Sequence, residues 1–507
     1  MITLKTSQTE ALAHIRKESL DIYNRLHSIA EDIHFVEWVY HTSYAHLPIL
    51  PNLRCGAWYV NPQIAKHGGA YFKSTDGHTN NWGFNLRRPN LHLLPIILQH
   101  NGIVLVDSTR AGKRMPDALS KTVPIWCTVI NRAIKFLYSK DSNWNTELYC
   151  PPGVVSSQEQ SQISQRLDDW AASLVSSSYV LPDLPRPLRP VWITPSTSTL
   201  PVLSGVDFLP IICVSASKQI DEGLERRSHG YVYVQGSGDD HELWGMGLTP
   251  QIFWEHKHEL LKADRTFLPD LVTELVEEHR SRQSAEWKEL PTPIHKIRGK
   301  LLIASTTDIP TYLPSSLPGS SERIGYVVIT DNPSTFTHAN ADDMGGEARD
   351  DVLLLEMSEG KRGQTQFLQS VLPRAIPFIE AKLSKGTKVC VCCHNGKDAS
   401  VGVVLVALQL YFDANGQFVK SAAEREVLRS SADKKSLSTR LQWIISSRAQ
   451  ANPSRATLKR VNEFLLTPAE FRSMSRSPQE VNNEDTTEES STKIVTVDEI
   501  KADVQNV

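Results

Sequence analysis

The sequence predicts an α/β protein: a large amino-terminal α/β part, a carboxy-terminal α/β part with a central sheet flanked by helices, and a disordered acidic tail. Three observations predict it. Short apolar runs such as GIVLVD and IGYVVITD alternate along the chain with longer amphipathic stretches, the pattern of buried strands joined by helices. The segment KVCVCCHNGKDASVGVVLVALQLYF reads as strand, glycine-containing loop and helix in direct succession. With 507 residues, 40% hydrophobic and 22% charged, the chain has enough length for two or three cores, and its apolar runs fall short of a bilayer span.

In order along the chain, residues 9–45 read as an amphipathic helix, with Ile15, Leu20, Ile22, Leu26 and Ile29 spaced among charges. ILPNLRCGAWYV and GIVLVD then read as strands, and RPNLHLLPIILQH and ALSKTVPIWCTVINRAIKFLY as helices. VSSQEQSQISQRLDDWAASLV, RPLRPVWITP, PIICVSASK and YVYVQGSGDDHELWGMGLTPQIFW continue the alternation to about residue 280. The charged, then proline-rich stretch SRQSAEWKELPTPIHK suits a linker. LLIAS, IGYVVITD and DDVLLLEM follow as strands, and QTQFLQSVLPRAIPFIEAKL as a helix that Pro373 and Pro377 should bend. The expected organisation is a 1–280 amino-terminal domain, a 281–298 linker, a 299–470 carboxy-terminal domain and a 471–507 disordered tail, where serine, threonine, asparagine and acids dominate.

The net charge of −3 is uneven. From Ser477 to Val507 there are eight acids against Lys493 and Lys501, so without this stretch the body carries +3. An RNA surface must therefore come from local basic patches rather than from overall charge. Seven cysteines, three of them crowded at Cys390, Cys392 and Cys393, suit a reducing compartment, and the start MITLKTSQTEALAHIRKESL has no apolar block behind a basic region. The expectation is a soluble, unprocessed, cytoplasmic protein without a membrane partner.

A cysteine-phosphatase nucleophile loop reads Cys-x-x-Gly-x-x-Arg-Ser/Thr. Here Cys393, Gly396 and Ser400 are in register, while Ala399 occupies the arginine position. A loop after a buried strand, leading into a helix amino terminus, favours phosphate through convergent backbone N–H groups and the helix dipole. Without the bidentate guanidinium, covalent phosphocysteine chemistry loses its clamp. Lys397 and Ser400 restore only a point charge and one hydrogen bond. The loop 393–400, with His394 and Asn395, is thus read as holding phosphate without cleaving it; a loop that merely packs is the alternative.

The blocks CHNGKDASVG, SLSTRLQWIISSRAQANPSRATLKRVNEFL, YFKSTDGHTNNWGFNLRRPNLHLLP and VDSTRAGKRMPDALSKTVPIW resemble the fungal and plant initiator-tRNA ribosyl phosphate transferases. The resemblance spans roughly residues 13–466. It implies transfer of 5-phosphoribosyl from phosphoribosyl pyrophosphate to the ribose 2′-hydroxyl of the T-stem purine at position 64 of initiator methionine tRNA, which keeps that tRNA out of elongation. It also implies a carboxy-terminal domain similar to dual-specificity phosphatases.

Such a transfer needs donor binding, charge neutralisation and a base, with magnesium the expected helper on pyrophosphate. GIVLVDSTRAGKRMPDALSKT supplies an acid at a strand end, Asp107, followed by Ser108, Thr109, Arg110, Lys113 and Arg114. Open α/β sheets place ligands at that position. Asp107 is the candidate magnesium ligand. Upstream, Lys73, Asp76, His78, Arg87 and Arg88 share one polar segment, with Lys73 a candidate phosphate ligand and His78 a candidate base. Asp117 and Asp398 complete the candidate catalytic carboxylates. Asp239, Asp240, His241 and Glu242 either bind metal or cap a solvent loop. Between Lys434 and Arg460 stand seven basic residues and no acid. Lys434, Lys435, Arg440, Arg448 and Arg455, with Arg87 and Arg88, form the candidate RNA surface. The rival readings are a catalytically inactive phosphatase-like module that binds RNA or phosphate, and an active phosphatase with an atypical loop.

Overall fold

The computed structural model describes residues 13–466 apart from 54, 221–224, 229, 282–286, 339–350 and 359. The tail expected at 471–507 lies outside the described residues. The first helical stretch is interrupted at Asp21, whose carboxylate accepts from Asn24 N and caps α1, Ile22–Val39.

Four parallel strands form the first sheet: β1 (Ile49–Pro51), β2 (Ile103–Asp107), β3 (Leu188–Ile193) and β4 (Leu209–Ser215), in the order β1-β2-β4-β3. Every residue of β2 and β4 is buried, as expected where helices cover both faces. Ile103 and Leu105 face one core with α2 (Leu93–His100) and α3 (Val123–Leu137). Val104 and Val106 face another with α1, α6 (Pro250–Lys262) and α7 (Leu268–Ser281). Two shorter helices, α4 (Ser157–Ser164) and α5 (Leu167–Val175), lie between α3 and β3 in the chain. The parallel register sets Asp107 opposite Ser215, so β2 and β4 end together.

The second sheet holds β5 (Thr292–Pro293), β6 (Leu301–Ser305), β7 (Ile324–Thr330), β8 (Val352–Glu356) and β9 (Lys388–Cys393), in the order β8-β7-β9-β6-β5. All neighbours are parallel except β5, which runs antiparallel to β6. Part of the stretch read as linker is thus an edge strand, a position where Pro293 is tolerated because no further ladder needs its missing N–H. Pro373 sits in the first turn of α8, Leu372–Ser384, directly after a π-helical turn, Phe367–Val371, and Pro377, also expected to bend the helix, lies inside α8 without interrupting it. α9 (Ala399–Tyr411) is buried along its whole length, and α10 (Lys434–Ser447) and α11 (Arg455–Leu466) pack on it. One hydrophobic cluster joins the two halves, running from Leu105 and Ile211 to Ile303 and Val391, and the chain through Leu466 is one compact unit. No helix among the described residues is long and apolar enough to cross a membrane.

Candidate active site at the end of the first sheet

Asp107 closes β2 with its carboxylate fully buried. It accepts hydrogen bonds from Asn52 Nδ2 (2.8 Å), Cys55 Sγ (3.0 Å) and Ser108 N (2.9 Å). Ser108 and Thr109 are buried behind it, and the chain then surfaces at Arg110 and Arg114. Gly236 packs so tightly on this turn that a Cβ there would sit 2.3 Å from Thr109 O. Gln235 Nε2 donates to Lys113 O at 2.6 Å. The cationic turn is thereby fixed from beneath with Arg110 and Arg114 in solvent.

Three expected site residues converge. Asp117 Oδ2 lies 2.8 Å from Lys113 Nζ and 3.4 Å from His78 Nε2, and its Oδ1 lies 3.2 Å from Lys121 Nζ. Lys121 also pairs with Glu159 of α4 at 3.1 Å, and Glu159 accepts from Trp82 Nε1 at 2.9 Å and Thr79 Oγ1 at 3.1 Å. Burial alone would raise the Asp117 carboxyl. The hydrogen bond from Lys113 and the charges of Lys121 and Lys113 outweigh it, and hold Asp117 below the ordinary carboxylate range. Glu159 is lowered in the same way, with burial opposed by Trp82 and Lys121. The result is a fixed anion facing the exposed imidazole of His78, beside a half-exposed lysine. That arrangement orients a base and leaves a cation for phosphate. Lys121 and Glu159 were not among the expected residues; Lys121 was legible as the i+4 partner of Asp117, whereas nothing local marks Glu159.

The preceding loop is tied to the same place. Asp76 receives Arg88 Nη2 at 3.0 and 3.2 Å, and Lys73 O accepts from Thr122 Oγ1 at 3.2 Å. Tyr71, Lys73, Asp76, Asn85 and Arg88 line a narrow cleft here. The Lys73 side chain is exposed.

Magnesium does not fit the residue expected to hold it. The Asp107 oxygens are buried and engaged, and among the described residues no group of three His, Cys, Asp or Glu could hold a metal. Asp107 anchors the strand end instead. The same holds for Asp239, Asp240, His241 and Glu242, which form a short turn where Asp239 O accepts from Trp244 Nε1 and His241 Nδ1 stands 3.9 Å from Glu242.

The phosphatase-like loop follows β9 directly and leads into α9. Gly396 N donates to Cys393 O at 3.0 Å and Lys397 N to Asn395 Oδ1 at 2.9 Å, so two of the loop's amides are turned onto the loop itself. Cys393 is buried, with Sγ 3.1 Å from Ser400 Oγ, and Ala399 is buried behind it; His394 and Asn395 are exposed. Burial and then the charge of Arg448 lower Lys397. Asp398 Oδ1 accepts from Ser454 N at 2.8 Å, which makes it a clamp on the turn before α11.

Two members of the expected RNA surface are corrected. Arg440, 6% exposed, donates from Nε to Leu408 O (3.1 Å) and from Nη2 to Phe412 O (2.9 Å), satisfying the last carbonyls of α9. Arg448, 5% exposed, donates from Nε to Gly396 O (2.9 Å) and from Nη1 to Thr292 Oγ1 (2.7 Å). Gly396, at φ +59°, is pressed between that guanidinium and the Ala304 carbonyl, where a Cβ would have no room. Both arginines hold structure. Lys434, Lys435 and Arg455 are exposed, and Arg87 and Arg88 are partly so.

Comparison with known proteins gives one answer for both halves. A family model described as the Rit1 N-terminal domain matches residues 15–277, and one described as the Rit1 DUSP-like domain matches residues 351–465. The chain is 33% identical to the tRNA A64-2′-O-ribosylphosphate transferase of Saccharomyces cerevisiae over 89% of its own length and 93% of that protein. It is 34% identical to an uncharacterized protein of Schizosaccharomyces pombe, over 90% of its own length and 97% of the relative. Among solved structures, human DUSP28 covers 36% of this chain and 97% of its own at 12% identity, with a TM-score of 0.22.

Proposed function

The chain belongs to the Rit1 family, and from that premise we propose that it transfers 5-phosphoribosyl from phosphoribosyl pyrophosphate to the ribose 2′-hydroxyl of purine 64 in initiator methionine tRNA. The relative's printed name supports the acceptor and the group transferred. The observation that carries the reading to particular residues is the His78–Asp117–Lys113 constellation at the carboxyl end of a parallel sheet.

In this reading His78 donates Nε2–H toward Asp117, which leaves Nδ1 to accept the proton of the 2′-hydroxyl. The ribose oxygen bonds to the anomeric carbon of the donor as the carbon–oxygen bond to pyrophosphate breaks, and that electron pair leaves with pyrophosphate. Arg110, Lys113 and Arg114 neutralise the donor's phosphates, and Lys121 keeps Asp117 anionic. Magnesium bound with the donor would supply charge neutralisation on the departing pyrophosphate, and Asp107, buried and engaged, would not hold it. We assign transfer to residues 1–280 and acceptor support to residues 299–470. Seven free cysteines suit a cytoplasmic location.

The test is tRNA-dependent release of pyrophosphate. His78→Gln should lower kcat by about 10²–10⁴-fold, the range of a lost general base, while leaving tRNA affinity within twofold. Intact tRNA binding by the unaltered chain with no pyrophosphate release would refute the transferase reading in favour of a binding module.

A further inference from the structure

The loop that carries His78 is held from two sides. On one side Gly77 presses on the turn that follows Asp117: a Cβ there would lie 2.8 Å from both Asp117 O and Thr122 Oγ1, an approach that only a residue without a side chain allows. On the other side stands Glu159, in the first turn of α4. Ser156 caps this helix by accepting from Glu159 N at 3.1 Å. In a Ser-x-x-Glu cap the glutamate ordinarily reaches back to the amide of the cap residue. Here Oε1 turns to the site instead and receives Trp82 Nε1 (2.9 Å), Thr79 Oγ1 (3.1 Å) and Lys121 Nζ (3.1 Å). Thr79 and Trp82 belong to the loop directly after His78. Lys121 is buried and also pairs with Asp117, the anion that faces the imidazole. A cation shared between two covered carboxylates is a weak device for stability, because desolvation offsets most of the attraction, and a helix cap needs no such cation.

We propose that Glu159 is a positioning residue for the base. Its Oε1 pins Thr79 and Trp82, so that His78, which lies in the chain between them and Gly77, stays beside Asp117. Its charge draws on Lys121, so that Asp117 keeps the negative charge that orients the imidazole. Glu159 acts through the loop and through Lys121, not on the reacting atoms. That His78 is the base rests on the transferase reading; the pinning of its loop by Glu159 does not.

The experiment compares Glu159→Gln and Glu159→Leu with the unaltered full chain. Glutamine keeps an acceptor for Trp82 and Thr79 and loses the charge, whereas leucine loses both. Hydrogen exchange reads the loop through the amides of Asn81 and Gly83, which donate to His78 O at 2.8 Å and Asp76 O at 2.9 Å. In Glu159→Leu their exchange should quicken about tenfold, as expected for the loss of a charge-assisted hydrogen bond. Its kcat should fall by roughly 10–10²-fold, with donor KM and tRNA affinity within about twofold. In Glu159→Gln the exchange should stay within about twofold, as the loop's acceptor is kept, while the acid limb of the pH profile of kcat/KM moves. The charges around His78 are Asp117, Lys113, Lys121, Glu159 and Asp76, the last paired with Arg88. Removing the Glu159 charge favours the neutral imidazole, so the limb should move to lower pH by about half a unit. A glutamate that merely caps α4 would lower the urea midpoint and leave kcat, the acid limb and the loop's exchange unchanged, and that result overturns the assignment. If Glu159→Leu does not fold, an unmoved limb in Glu159→Gln overturns it. Absence of pyrophosphate release by the unaltered chain refutes the transferase reading, whereas unchanged exchange at Asn81 and Gly83 in Glu159→Leu refutes the pinning.

Discussion

Replacing Arg448 with methionine separates a structural arginine from an RNA contact. Methionine keeps most of the aliphatic stem and removes only the guanidinium, so packing changes little. Two charge-assisted hydrogen bonds disappear, to Gly396 O at 2.9 Å and Thr292 Oγ1 at 2.7 Å. Each bond from a charged donor contributes ~1.5–3 kcal/mol, and the acceptors left behind cost ~1–3 kcal/mol apiece if they stay dry. Against this, the variant no longer buries a guanidinium, whose desolvation offsets much of the gain in the native protein. A net loss of about 2–4 kcal/mol follows. Urea unfolding by far-ultraviolet circular dichroism reads this as a lower midpoint at unchanged slope. The tRNA salt slope of the folded variant should match that of the unaltered protein. An unaltered midpoint together with a salt slope smaller by about one would show that Arg448 reaches RNA, and would refute the reasoning.

Cys393→Ser should retain transfer activity within about twofold, because Ala399 removes the clamp a phosphocysteine needs and the thiol is spent on Ser400; a trapped phosphocysteine on the unaltered chain would refute this. Lys434→Gln with Lys435→Gln, both exposed on the first turn of α10, should lower the tRNA salt slope by one to two and weaken binding of initiator and elongator tRNA alike. An unchanged slope would remove α10 from the RNA surface.

The strands were legible because burial on both faces writes itself as unbroken apolar runs: GIVLVD, IGYVVITD and KVCVCC carry β2, β7 and β9. The basic run was legible as composition and misread as a surface. Arg440, Leu441, Ile444 and Arg448 stand three, four, seven and eleven residues after Leu437, the period of one helix face, and all five are buried. Periodicity would have withdrawn Arg440 and Arg448 from the RNA set and kept Lys434 and Lys435. Lys113, Asp117 and Lys121 stand at four-residue intervals and could be read together. Glu159 and the Arg87–Pro453 contact could not, since the latter joins residues 366 apart and only the packed fold brings them together. The engagement of the Lys397 amide was equally hidden, because whether Asn395 accepts from Lys397 N or faces outward is a rotamer choice that sequence does not record.

The buried carboxyl of Asp32 should make stability depend on pH near neutrality. Asp32 lies in α1, 3% exposed, and receives Ser217 Oγ at 2.5 Å and Tyr233 OH at 2.7 Å. Burial pushes its pKa up to about 8, against the pull of those two hydrogen bonds. An unfolded aspartate titrates near ~3.9. Between these values the native protein holds a proton that the unfolded chain has released, so stability falls as pH rises. The slope is at most about 1.4 kcal/mol per pH unit and vanishes above the folded pKa. Asp32→Asn, which cannot ionise, should flatten the dependence between pH 5 and 8. The effect reaches the candidate site, because Ser217 Oγ also lies 2.5 Å from Ser108 Oγ and accepts from Gly236 N at 3.1 Å. Ionisation of Asp32 therefore loads the layer that supports the Arg110–Lys113 turn. Urea midpoints for both proteins across that range decide the matter. Parallel curves would mean that Asp32 does not take up a proton on folding, and that the turn rests on a carboxylate rather than a carboxylic acid.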